Sequence, residues 1–136
     1  MHELVVTRLI AASPDKVWDV MVNRTNEWWC PKPWTTEVRE FDMRPGGGFY
    51  TFMQGPDGGT SDNPGCFLEI VPGARIAFTS QLVGGWRPGT PWMAFTAIIT
   101  MADEADGTRY TATVMHPDEA TRARHEELGF FEGWNL

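Results

Sequence analysis

The spacing of apolar positions along this chain changes three times, and each change marks a new kind of element. Glu3 to Ala12 is β-branched and aliphatic and reads as a first strand. Ser13-Pro14-Asp15 then spells a helix start, with a hydroxyl cap, proline at the first helical position and an acid near the positive end of the dipole. Val17, Trp18 and Met21 form the apolar face of a short helix ending near Asn23. A second helical turn is expected around Glu27, Trp28 and Trp29. Cys30-Pro31-Lys32-Pro33 cannot continue it, because proline lacks the donor and restricts its neighbour.

From Thr35 the period becomes two. Val38 and Phe41 lie in a strand that stops at the tight turn Arg44-Pro45-Gly46-Gly47-Gly48, and Phe49 to Gln54 returns from it. After the turn Gly55-Pro56-Asp57-Gly58-Gly59 come strands over Cys66 to Val71, Arg75 to Val83, Trp92 to Met101 and Thr108 to His116. Gly84 to Pro91, around Trp86, reads as a longer loop. The last change is back to helical spacing. Pro117 to Leu136 predicts a long helix capped by Asp118, with Ala120, Ala123, Leu128, Phe131 and Trp134 on one stripe. Arg122, Arg124, His125, Glu126 and Glu132 fall mostly off that stripe and read as the wet face.

Strands joined by short turns pair antiparallel, and such a sheet has one face to bury. The terminal helix is the long amphipathic element available to cover it, so the class is α+β, within a single domain over residues 1–136. The inward set should include Met93, Phe95, Ala97, Ile99 and Met101, with Ile76, Phe78 and Ser80 on the preceding strand. On the return strand Tyr50, Phe52 and Gln54 share one face, and Phe49, Thr51 and Met53 share the other.

Composition adds bulk to this picture. Seven Trp and eight Phe in 136 residues imply an aromatic interior, an aromatic-lined pocket, or both. A net charge of -7 argues against nucleic acid and anionic membrane as partners. Cys30 and Cys66 are too few for a disulfide framework and have no metal-ligand spacing, so two free thiols in a reducing cytoplasm are expected, with one disulfide as the alternative. No charged-then-apolar leader or membrane-length apolar run is present in the sequence. No residue spacing points to a metal or a cofactor. Gly46-Gly47-Gly48 leads into a strand and lacks the lysine and helix start of a phosphate loop.

Several stretches together carry a resemblance: Ser13-Pro14-Asp15-Lys16-Val17-Trp18, Trp28-Trp29-Cys30-Pro31, Glu40-Phe41-Asp42-Met43-Arg44-Pro45-Gly46-Gly47, Gly65-Cys66-Phe67-Leu68-Glu69-Ile70-Val71-Pro72, and Glu126-Glu127-Leu128-Gly129-Phe130-Phe131-Glu132-Gly133-Trp134. The chain resembles the family named for homology to the activator of heat-shock protein 90 ATPase, within the SRPBCC or START-like superfamily. The resemblance implies a helix-grip fold, in which a curved antiparallel sheet wraps a long C-terminal helix around a cavity that often takes a small apolar ligand. It carries no reaction, because that superfamily includes carriers, receptors, co-chaperone domains and cyclases. In the family the last helix usually runs several turns past the Gly-Trp, whereas this chain stops at Leu136.

Three functions follow. The first is non-catalytic binding of a small apolar or aromatic molecule between the sheet and the C-terminal helix, lined by Trp34, Tyr50, Phe52, Phe67, Phe78, Met93, Phe95, Met115, Phe131 and Trp134, with Glu127 as polar anchor. For each apolar residue taken singly, plain core is the commoner fate. The second is a cyclase- or hydrolase-type enzyme using Glu127 with Tyr50, Tyr110 or His116 for proton transfer, which requires two such groups to converge. The third, a chaperone-associated interaction domain, comes from the family name alone. A homodimer is left open.

Overall fold

The computed structural model describes residues 2–23, 35–104 and 107–127. The elements are β1 (Glu3–Ile10), α1 (Pro14–Asn23), β2 (Thr35–Phe41), β3 (Phe49–Gln54), β4 (Thr60–Asn63), β5 (Cys66–Val71), β6 (Arg75–Thr79), β7 (Leu82–Val83), β8 (Arg87–Pro88), β9 (Thr96–Glu104), β10 (Gly107–Met115) and α2 (Glu119–Glu127). The fold is α+β: antiparallel strands with a helix after the first strand and another after the last. The helical turn expected around Trp28 and Trp29, and the end of the terminal helix beyond Glu127, lie outside the described residues.

Both helices start as their caps dictate. The Ser13 carbonyl accepts from Val17 N–H at 3.0 Å, and its hydroxyl accepts from Lys16 N–H at 3.3 Å, with Pro14 first in α1. Asp118 Oδ1 accepts from Thr121 N–H at 2.8 Å ahead of α2, and this bond holds its carboxyl below the usual range.

Five strands form the main sheet in the order β1-β10-β9-β6-β5, so the first strand lies at an edge beside the last. The inner face follows from register. Leu4 pairs Val114 and Val6 pairs Ala112, Ile76 pairs Ile99 and Phe78 pairs Ala97, and all eight are buried. The expected inward set of β9 and β6 is therefore right. Ser80 is used differently: its hydroxyl donates to Met93 O at 2.7 Å and accepts from Phe95 N–H at 3.0 Å. That irregular stretch delays β9 to Thr96 instead of Trp92. Leu82–Val83 also leave the predicted fourth strand to form a hairpin with Arg87–Pro88 inside the expected loop.

A second sheet, β2-β3-β4, includes a strand at Thr60–Asn63 that polar residues concealed in the sequence. The glycine-rich turn joins the two sheets. Gly46 N–H donates to Phe67 O and Phe67 N–H to Gly47 O, each at 2.8 Å, and Gly48 bridges Cys66. Only glycine fits here. A Cβ on Gly47 would stand 1.9 Å from Asp42 O, and Gly46 has φ +83 with the Trp86 indole directly over it.

Aromatic contacts run across this junction. Phe41 meets Phe49 edge-on, Phe49 stacks on Phe67 at 4.9 Å, and Phe49 meets Phe78 edge-on at 5.1 Å. Phe78 meets Phe95 at 6.0 Å, and Phe95 lies 5.7 Å from the His125 ring on α2.

Candidate functional site

The cavity delimited by the described residues lies between α1 and the inner face at the β1–β10 edge. It holds about 270 Å³ and is walled by Ile10, Ala12, Val17, Val20 and Met21, with Lys16 and Tyr110 as its polar members. The walls are apolar for a simple reason: α1 presents Val17, Val20 and Met21 at helical spacing, and its buried members face the sheet. Alternation along β10 sends Tyr110 inward with Ala112 and Val114.

Tyr110 is the anomaly. The residue is 5% exposed, yet its hydroxyl has no hydrogen-bond partner, and burial pushes its pKa up to about 12. A buried, unpaired hydroxyl costs about 1–3 kcal/mol. The group stays a neutral phenol whose oxygen is closed off from any water-sized molecule, while its ring contributes to the cavity wall. The sequence pattern singles out Tyr110 as a hydroxyl for core or ligand, and Val17 and Met21 as an apolar face. It misses Ile10, Ala12, Lys16 and Val20 as walls, since nothing local to them shows which elements enclose a space.

The predicted lining residues separate into groups. Phe67 and Phe78 sit inside the aromatic core, Met93 is buried, and Phe95 is half-buried against Phe78 and His125. Tyr50 and Phe52 depart from expectation. The core takes Phe49 and Thr51 from β3 instead, while the Arg39 guanidinium lies 4.1 Å above the Phe52 ring and Tyr50 donates to Asp62 at 2.5 Å. Both faces of that strand are aromatic, so alternation alone could not choose. Met115 also departs: Tyr110, Ala112 and Val114 occupy the buried parity of β10, which leaves Met115 on the other face. Trp34, Phe131 and Trp134 lie outside the described residues.

Glu127 is exposed at the end of α2, and Ala120 is exposed as well. His125 turns inward instead, against the prediction of a wet face. Its Nδ1 is 2.8 Å from His116 Nε2, and His116 Nδ1 is 3.0 Å from His2 O. The carbonyl can only accept, so His116 carries its proton on Nδ1 and, when neutral, accepts at Nε2 from His125. Burial first, and the neighbouring His116 second, lower the His125 pKa to about 4. Glu127, Tyr50, Tyr110 and His116 are not hydrogen-bonded to one another: Tyr50 pairs with Asp62, His116 with His125 and His2, and Tyr110 with nothing. Among the described residues no group of three or more His, Cys, Asp or Glu could hold a metal ion, and no helix is long and apolar enough to cross a membrane. Cys66 is a buried free thiol, and Cys30 lies outside the described residues.

With this geometry in hand, comparison with known families is decisive over most of the chain. The family model described as activator of Hsp90 ATPase homolog 1-like protein matches residues 11–136. The chain belongs to that family. A crystal structure of a protein from Nitrosomonas europaea is similar at 42% identity and TM-score 0.91, covering 98% of this chain and 86% of that one. A Mycobacterium smegmatis protein (23% identity, TM-score 0.82) covers 98% of this chain and 83% of its own. An AHSA1-like protein from Aeromonas hydrophila (20% identity, TM-score 0.73) covers 98% and 84%. These two distant likenesses carry the fold alone. No curated protein matches. The neighbours are AHSA1-like members of the SRPBCC group, so the α+β arrangement described above is the helix-grip class, one that supports ligand binding in general. Within this AHSA1-like chain the Arg-Pro-Gly-Gly motif has a structural task, joining the sheets through the backbone of Gly46 and Gly47.

Proposed function

We propose that this AHSA1-like chain binds a small, mostly apolar ligand in the cavity between α1 and the β1–β10 edge of the sheet, without catalysis. The observation that carries the reading is the cavity itself, a space of about 270 Å³ between α1 and the sheet whose wall is almost wholly apolar. The volume sets the ligand's scale. A cavity of ~150 Å³ holds benzene and drug-sized ligands need ~300–1,000 Å³, so about 270 Å³ suits one or two fused rings or a short aliphatic chain. Phe67, Phe78, Met93 and Phe95 are not among the walls of this cavity, and Trp34, Phe131 and Trp134 stay proposed as additional lining.

The test is thermal denaturation with a panel of mono- and bicyclic aromatic and short aliphatic compounds. A ligand at a hundred times its Kd adds about 2.7 kcal/mol, a shift of several degrees in Tm. Val20→Phe, which fills the cavity from α1, is expected to abolish the shift. A shift that survives this substitution would place the binding elsewhere, and no shift with any compound would sink the proposal.

A further inference from the structure

β1 lies at one edge of the main sheet and is bonded to β10 on one side only. The end of that ladder shows which of its backbone groups are left over. His116 N–H donates to His2 O at 2.9 Å, in the register that pairs Glu3 with Met115. In an antiparallel pair the backbone groups of alternate residues turn toward the partner strand. The even-numbered residues of β1 therefore face β10, and Glu3, Val5, Thr7 and Leu9 hold N–H and C=O out from the free edge. Among the described residues no backbone group bonds to them.

Edges of this kind are ordinarily blunted by proline, by a bulge or by brevity. β1 has eight residues, no proline and an unbroken register. Its outer face is also apolar, since Val5 and Leu9 are each 48% exposed while Leu4 and Val6 are buried. We propose that this edge is the pairing surface for a second copy of the chain, antiparallel about a two-fold axis through Val5.

Charge complementarity names the occupant and sets the register. With the axis at Val5, the two Val5 side chains meet, Glu3 of each copy exchanges backbone bonds with Thr7 of the other, and Arg8 stands opposite His2 of the second copy. Arg8 is exposed and has no ion-pair partner among the described residues. The His2 ring faces Glu119 at 3.5 Å, and Asp118 and Glu119 are both exposed at that corner. Directly paired residues have Cβ atoms ~4.5–5.5 Å apart, so each Arg8 guanidinium comes within reach of an acidic corner. An axis through Thr7 would pair Val5 with Leu9 but bring the two Arg8 side chains toward each other with no acid between them. Chains of net charge -7 repel one another, and a matched cation and acid on both sides of the axis offsets that repulsion. A single strand pair is smaller than the ~1,000 Å² of a stable interface, so the dimer is weak, with a Kd on the order of 10–100 µM.

The experiment is sedimentation velocity of the full chain from ~10 µM to ~1 mM, with amide hydrogen exchange followed by NMR at both ends of that range. The mass should rise from 15.3 kDa toward twice that value. The Val5 and Thr7 amides should gain protection with concentration, while those of Leu4 and Val6 are protected throughout. Val5→Lys sets like charges across the axis and should weaken association by more than about tenfold. Arg8→Glu should weaken it severalfold, and Leu9→Lys, outside the paired residues, should leave it nearly unchanged. All three side chains are exposed, so these variants fold as the parent does. A mass that stays at 15.3 kDa throughout, or a dimer indifferent to Val5→Lys, overturns the proposal. A greater loss from Leu9→Lys than from Val5→Lys overturns the register. Protection of the same amides in a monomeric chain by an added extended peptide would assign the edge to a foreign strand instead.

Discussion

Tyr110 shows what one atom can report. Its ring is core by every measure of burial, and only the missing partner of its hydroxyl separates it from Phe67 or Phe78. Tyr110→Phe removes the unsatisfied group and keeps the ring. The protein should therefore be as stable as the parent or more so, by up to about 1 kcal/mol in urea unfolding. A clear loss of stability would mean that the hydroxyl is already satisfied. Glu127 is the opposite lesson. An acid next to Leu128 in the terminal helix has the look of an anchor, and the structure exposes it, because the described part of α2 turns His125 toward the sheet instead of the Ala120 and Glu127 side.

At the scale of elements, α2 is tied to β10 by the His116–His125 contact and to the chain's start by His2, which faces Glu119 at 3.5 Å. The Arg122 guanidinium beside Glu119 holds that carboxyl down to about 2, so it is still charged where His125 takes up its proton. His125 is the group that titrates. Its folded pKa of about 4 lies below the ordinary value near 6.5, so the unfolded chain binds more protons between those values. The contribution to stability is complete above about pH 6.5 and is lost as pH falls through about 4. With partial exposure discounted, the loss is of order 1 kcal/mol. His125→Gln should flatten this part of the stability–pH curve, measured by urea unfolding from pH 7 to 4. An unchanged slope would assign the acid sensitivity to other groups. The same pair explains an error of periodicity: helical spacing ranks His125 as polar, but a neutral imidazole bonded to a buried partner packs like an aromatic ring.

On the scale of the molecule, the aromatic contacts make one body of two sheets. Phe67 is 1% exposed and touches Phe41, Phe49 and Phe78, and its backbone pairs with Gly46 and Gly47. Phe67→Ala should cost about 3–5 kcal/mol, lowering the urea midpoint with one cooperative transition retained if the sheets unfold together. Two separate transitions would show that the junction does not couple them.

Element identity was legible in the residues themselves, since it depends on local physics. Ser13-Pro14 and Asp118 cap helices because hydroxyl and carboxylate oxygens satisfy amides within four residues of them. The inner parity of β6 and β9 follows from alternation against water, and the glycine turn from backbone that tolerates no Cβ. What only tertiary structure decided were the choices on which local physics is silent. Either face of β3 could have been the core, and β10 decided Met115 only once Tyr110 had turned inward. The half-open space arose against α1, where walls from Ile10 to Met21 meet Tyr110 from the other end of the chain. A cavity is a relation between elements, set by how closely their faces approach, and no stretch of sequence carries it alone.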